Sequence, residues 1–259
     1  MGGMTASVDP IGGSVGVADS TGRLRVVGSA AVTPAMLRLT LAIDAPHLPL
    51  DPSCPNLVLR LSPPADVDTG GTSGARPPSR TYTIRRLDAA AGTVDIDVVL
   101  HGDGLFVRWA RDARPGDTID FTGPRPHAVP SFEADALVML SDETGLPAVA
   151  AILEAASPGL PVLAVVEVPD AGEEQVVESP AVVDLRWLHR DRTPAGTTGG
   201  LERAARSLPW PAGAVDVWVA GETSEVRAVR RFAAAERGVA RDRLHAFGYW
   251  RRGRAGSPS

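Results

Sequence analysis

The sequence predicts two domains of different class: a six-stranded antiparallel β-barrel, then an α/β domain built on a parallel sheet. Short β-prone runs separated by Gly/Pro turns fill residues 23–128, the pattern of a small all-β unit. Residues 129–253 instead alternate apolar strands with stretches of helical spacing, as strand–helix–strand crossovers require. The turn-rich segment Pro124–Ser131 separates the two patterns.

Leu24–Val32 and Met36–Ile43 read as strands around the Thr33-Pro34 turn, and Leu57–Leu61 as a third. Ser62–Pro78 is dense in Pro, Gly, Ser and Thr and reads as a long mobile loop. Ser79–Arg86 is a fourth strand. Thr93–Leu100 alternates cleanly, with Val94, Ile96, Val98 and Leu100 on one face. Leu105–Ala113 reads as a short helix and Asp117–Thr122 as a strand closed by Gly123-Pro124. Ala136–Leu140, Pro161–Val168, Val183–Leu188, Ala214–Ala220 and Leu244–Tyr249 are the strands of the second domain. Leu146–Ala156, Gly200–Leu208 and Ser224–Arg237 are its helices. Residues 1–22 read as a disordered leader and 254–259 as a disordered tail.

Composition excludes several function classes. A net charge of -5 argues against general nucleic-acid binding. All 26 cationic side chains are arginine, so every cationic contact is a planar fork that does not titrate. Cys54 is the sole cysteine and permits no internal disulfide. No apolar run reaches membrane-spanning length and the leader is no signal peptide, so a cytoplasmic protein is expected. His47, His101, His127, His189 and His245 are scattered without metal-ligand spacing. No G-x-S-x-G elbow and no G-x-G-x-x-G fingerprint is present.

The chemistry-bearing stretch is Ser79-Arg80-Thr81-Tyr82-Thr83-Ile84-Arg85-Arg86. On a regular strand Arg80, Tyr82, Ile84 and Arg86 share one face, and Thr81, Thr83 and Arg85 the other. An aromatic ring between fixed cations suits a flat anionic ligand; an exposed strand with solubilising arginines is the plainer alternative. His101-Gly102-Asp103-Gly104 follows a strand and opens a helix, where free backbone N–H groups attract a diphosphate. Ser141-Asp142-Glu143-Thr144 and Gly221-Glu222-Thr223 stand between strand and helix, with Asp142 a candidate helix cap. Ligands gather at the carboxyl ends of such strands.

R-x-Y-T-x-R, Leu100-His101-Gly102, Asp142-Glu143-Thr144-Gly145-Leu146-Pro147-Ala148, Gly221-Glu222 and Gly248-Tyr249-Trp250-Arg251 come in one order. In wording and spacing they resemble the siderophore-interacting proteins, flavin-dependent ferric-siderophore reductases related to ferredoxin reductases. The resemblance covers about Arg23 to Gly253. It implies a flavin-binding barrel and a nucleotide-binding α/β domain, with electrons passing from NADPH (or NADH) through FAD to a ferric siderophore. By resemblance, Arg80, Tyr82, Thr83, Arg85, His101, Gly102, Gly104, Leu105 and Trp109 would hold FAD. Asp142, Thr144, Gly145, Gly221, Glu222 and Trp250 would serve the nicotinamide side. Arg251 and Arg85 would meet the siderophore, and iron would arrive chelated, with no resident metal. Three departures stand out. Gly104-Leu105-Phe106-Val107-Arg108-Trp109 replaces the usual Gly-Pro and small residues, Ser141 replaces a glycine, and Asn56 lies near a position where relatives carry lysine. Two alternatives stay open: a flavin reductase-like protein of another small-molecule pathway, and a non-redox binding module on the same fold.

Overall fold

The computed structural model describes residues 20–43, 54–64 and 79–253. The tail and most of the leader and of the Ser62–Pro78 loop lie outside them, although Thr21 and Gly22 of the leader belong to the first strand. Six strands form the first domain: β1 (Thr21–Thr33), β2 (Met36–Ile43), β3 (Leu57–Ser62), β4 (Arg80–Asp88), β5 (Thr93–Val99) and β6 (Thr118–Pro126). They close into a barrel in the order β1-β2-β5-β4-β3-β6, each neighbour antiparallel. Closure removes every sheet edge. Alternation points Leu39, Leu41, Val94, Ile96 and Val98 inward, where they meet Leu24, Leu59 and Ile119. Each such side chain contributes about 1.5–3 kcal/mol on burial. Helix α1 (Leu105–Asp112) plugs this core with Phe106, Trp109 and Ala110.

The second domain runs β7 (Ala136–Asp142), α2 (Leu146–Glu154), β8 (Pro161–Val168), β9 (Val182–His189), α3 (Gly200–Ser207), β10 (Val215–Glu222), α4 (Thr223–Glu236) and β11 (Leu244–Trp250). Its strands are parallel, in the order β11-β10-β7-β8-β9. Every residue of β7 and β10 is buried, as central strands covered on both faces require. The chain leaves β7 toward β8 on one side and reaches β10 on the other. The carboxyl ends of β7 and β10 therefore flank the topological switch point, where a ligand crevice is expected.

β4 departs from strict alternation. Ile84 pairs with Ile96, but the next partner of β5, Asp95, pairs with Arg86. Arg85 is the extra residue of a bulge, which re-aims its side chain. Beyond the bulge Leu87, not Arg86, packs against the barrel core. Arg85 reaches out of the barrel to helix α2 and donates to both Glu154 oxygens, at 2.6 and 2.8 Å. Further ties join the domains: the Trp218 indole donates to Ala128 O at 3.2 Å, and Glu173 accepts from Thr33 Oγ1 and from Ala35 N.

Arg85 is 7% exposed, so Glu154→Ala strands a buried cation. Complete burial of such a pair would make this worth about 3–5 kcal/mol. The Glu154 side chain is 33% exposed, so the expected loss is about 2–3 kcal/mol, read from urea midpoints. Arg85→Met with Glu154→Leu is expected to recover most of it. A Glu154→Ala midpoint equal to the parent's would remove the pair from the domain junction's energetics.

Candidate functional site

The β4–α1 corner comes from a strand and a helix whose first turn is bare. Gly104 is the N-cap of α1 in an extended conformation, with no side-chain cap and no acidic residue in the first turn. Arg108 N–H bonds back to Gly104 O, and the preceding Leu105, Phe106 and Val107 N–H groups have no bond to the described residues. Gly102 and Gly104 have open space where a Cβ would stand. Phe106 stacks on Tyr82 of β4 with ring centroids 4.4 Å apart and 29° between planes, and Trp109 tilts against Phe106 at 5.6 Å. Arg80 stands two residues from Tyr82 on the same face, its Nη1 donating to Ser79 O at 2.9 Å. Thr83 is buried on the opposite side of β4 and lies at the Tyr249 hydroxyl.

At the carboxyl edge of the parallel sheet, Asp142 is a hub. Its Oδ1 accepts from Thr144 N at 2.9 Å and Thr144 Oγ1 at 2.5 Å. Its Oδ2 accepts from Glu222 N at 2.9 Å and from the Trp250 indole at 2.7 Å. One carboxylate thus joins the ends of β7, β10 and β11. A Cβ on Gly221, whose φ is +144°, would meet Asp142 Oδ2 at 2.6 Å, so that close approach needs glycine. Asp142 and Ser141 belong to β7 rather than to the turn. Asp142 does not cap α2, whose N-cap is Gly145 with no side-chain bond. Gly145 packs on the strand instead: a Cβ there would meet Ser141 Cβ at 2.8 Å. Glu222 caps α4, accepting from the Ser224 hydroxyl and from the N–H groups of Ser224, Glu225 and Arg252.

Burial, then the neighbouring Glu143 charge, pushes Asp142 up to about 6. Burial alone would raise Glu222, but its donors, the Ser224 hydroxyl first, hold it below the usual range. Glu143 is buried in an ion pair with Arg190, at 2.5 and 2.7 Å. Burial raises Glu167, whose charge Thr198 supports by donating at 2.6 Å.

The two halves meet where His101 of the β5–α1 turn faces Trp250 of β11, ring centroids 6.2 Å apart. Tyr82, His101, Gly102, Gly104, Leu105 and Trp109 thus cluster on the barrel side. Asp142, Thr144, Gly145, Gly221, Glu222 and Trp250 cluster across the junction. Arg85 stands apart from both, since its guanidinium is committed to Glu154. It lines a separate cleft of about 1060 Å³ with Asn56, Arg86 and Glu154. Arg251 follows β11, exposed and with no ion pair among the described residues. Asn56 is 1% exposed and donates to Ala128 O at 3.1 Å. Residues that sequence reasoning gave no role are Phe106, Glu154 and Tyr249; Thr223, expected on the nicotinamide side, donates its hydroxyl to Trp250 O at 2.8 Å. Phe106 carried a signal as a large ring beside Trp109, and Tyr249 as a member of the Gly248-Tyr249-Trp250-Arg251 motif.

Comparison with known proteins agrees with this fold. Residues 55–128 match the siderophore-interacting FAD-binding domain, and residues 134–253 the siderophore-interacting protein domain. An uncharacterised protein of Mycobacterium tuberculosis is 38% identical over 189 residues, 69% of this chain and 67% of the relative. Ferric vibriobactin reductase of Vibrio cholerae is 34% identical over 182 residues, 69% of this chain and 66% of that one. The crystal structure of a siderophore utilization protein from T. fusca superposes with a TM-score of 0.81 at 36% identity, covering 93% of this chain and 96% of that one. With its barrel, its parallel sheet and its motifs meeting at one junction, the chain belongs to the siderophore-interacting protein family.

Proposed function

We propose that this chain is an NAD(P)H-dependent ferric-siderophore reductase with FAD held at the β4–α1 corner. The observation that carries the reading is the uncapped α1 N-terminus beside Tyr82 and Arg80. FAD supplies, when bound, the conversion of a hydride into single electrons. The residues present fit it. The free N–H groups of α1 and the Arg80 fork suit its diphosphate, and half-buried Tyr82, backed by Phe106, offers a stacking surface. Trp250, held by Asp142 and Thr223, faces the same junction from the other domain. No acid–base residue is needed; positioning does the work. The relative named ferric vibriobactin reductase supports a ferric chelate as acceptor.

Arg80→Ala is expected to lose about 1.5–3 kcal/mol of flavin binding, a 10- to 150-fold rise in Kd. Tyr82→Ala is expected to lose about 1 kcal/mol or more. Flavin retained through purification measures both, and parental retention in both variants sinks the assignment. Arg251 is an exposed fork at the junction's rim. Its removal is expected to raise KM for an anionic ferric chelate about three- to tenfold, with reduction by NADPH unchanged and the effect fading as salt rises. With Arg85 drawn off to Glu154, highly anionic chelates are expected to bind weakly. If the most anionic chelate is the best substrate and Arg251→Ala changes nothing, the acceptor docks elsewhere.

A further inference from the structure

Resting on the nicotinamide reading above, the helix N-termini of the second domain say how much of the donor is gripped. A dinucleotide domain ordinarily seats the diphosphate on free N–H groups at the switch point. Here those groups are spent. Helix α2 begins Gly145-Leu146-Pro147-Ala148. Pro147 has no N–H, Gly145 N–H bonds to Asp142 O, and Ala148 and Val149 N–H bond to Gly145 O. Only Leu146 N–H is left. Helix α4 is closed by the Glu222 carboxylate. At helix α3, Glu225 accepts from Gly199 N at 2.6 Å and Thr198 from Gly200 N at 2.9 Å, and Glu202 adds a carboxylate to the first turn. Of the four α-helices among the described residues, only α1 leaves its first three N–H groups all without a bond to them, and it lies in the barrel domain.

Charge points the same way. Asp142, Glu143, Glu167, Glu222 and Glu225 are all buried along this edge, and the one ion pair among them is Arg190–Glu143. A diphosphate seated in the β7/β10 crevice would displace the Asp142 bonds and meet like charges in a low dielectric. The β9–α3 connection adds a steric limit: a Cβ on Gly196 would stand 2.6 Å from Glu222 Cγ and 3.0 Å from Trp250 Cη2. Exposed Arg192, Arg251 and Arg252 offer rim attraction that salt screens, not a built seat.

We propose that the electron donor is recognised by its nicotinamide end at the Trp250–His101 junction, and that its adenylate diphosphate has no seat on the parallel-sheet domain. A reduced nicotinamide mononucleotide then serves nearly as well as the dinucleotides, and the 2′-phosphate discriminates little. When both are bound, the nicotinamide would give up a hydride from C4 and become the pyridinium, and the flavin would take the hydrogen with both electrons.

The test uses the flavin-loaded protein, so that the α1 seat is filled. Calorimetric titration with ADP and with adenosine 2′,5′-bisphosphate is expected to give no saturation up to about 1 mM. Anaerobic bleaching by NADPH, NADH and reduced nicotinamide mononucleotide is expected to give kcat/KM values within about tenfold of one another. Saturable binding of either adenylate at micromolar concentration, or a dinucleotide advantage above about 100-fold, overturns the proposal. The two readings fail separately. Absence of bleaching by all three donors overturns the nicotinamide reading, while the titration still decides whether an adenylate diphosphate is seated.

Discussion

Gly104→Asp is expected to raise the stability of the apoprotein and to abolish flavin retention, two effects of opposite sign from one carboxylate. Gly104 sits at φ -60° and ψ 147°, backbone that any residue adopts, and a Cβ there meets nothing within 4 Å. Aspartate in that position accepts from the free N–H groups of α1 and meets the positive end of its dipole, for a gain of about 0.5–1 kcal/mol. The same N–H groups are those proposed for the FAD diphosphate. Losing even two charge-assisted bonds, at about 1.5–3 kcal/mol each, lowers affinity more than 100-fold. Gly104→Ala adds the Cβ without the charge and is expected to stay yellow. Thermal melts of the apoprotein and the flavin content of the purified variants read the two effects. A Gly104→Asp protein with the parent's flavin content would move the diphosphate away from α1.

Asp142→Asn is expected to destabilise the fold by about 3 kcal/mol or more and to free Trp250. All the partners of this carboxylate are donors: Thr144 N, Thr144 Oγ1, Glu222 N and Trp250 Nε1. An amide turns an NH₂ toward two of them, so the near-isosteric change leaves buried donors unsatisfied. Asp142→Ala removes every acceptor and is expected to cost at least as much. The pH dependence has a defined sign. The folded-state pKa is raised, from an ordinary 3.8 to about 6, so the folded chain binds this proton more readily than the unfolded one. Across that window the contribution of Asp142 makes stability fall as pH rises, by up to about 1.4 kcal/mol per unit, and it is level above. The Trp250 indole N–H resonance is expected to move with a midpoint near 6 in the parent, and to show no such titration in the Asn variant. A resonance flat across that range would detach Trp250 from Asp142.

Much of this was legible in the residues themselves. Period-two alternation over Thr93–Leu100 located a barrel wall, and unbroken apolar runs such as Ala136–Leu140 located central parallel strands. His101-Gly102-Asp103-Gly104 announced an open helix start because glycines bring no side chain to close it. What escaped were contacts set by assembly. Alternation assumes a flat ladder, so the bulge that turns Arg85 toward Glu154 left no trace in composition. The Asp142 hub joins residues 142, 222 and 250, and only the β7–β10–β11 adjacency brings them together. Tyr82 was read as a bare stacking plate, while the Phe106 that backs it lies on a different element.

The central claim is that electrons leave a barrel-held flavin for chelated iron. The direct measurement is anaerobic: reduce the flavin-loaded protein with one equivalent of NADPH, mix it with a ferric siderophore, and follow the flavin band together with a ferrous-specific chelator. The expected result is recovery of the oxidised band with about two Fe(II) per flavin, as a two-electron donor feeding one-electron acceptors requires. A flavin that stays bleached with every ferric chelate, and recovers its colour only in air, would contradict it.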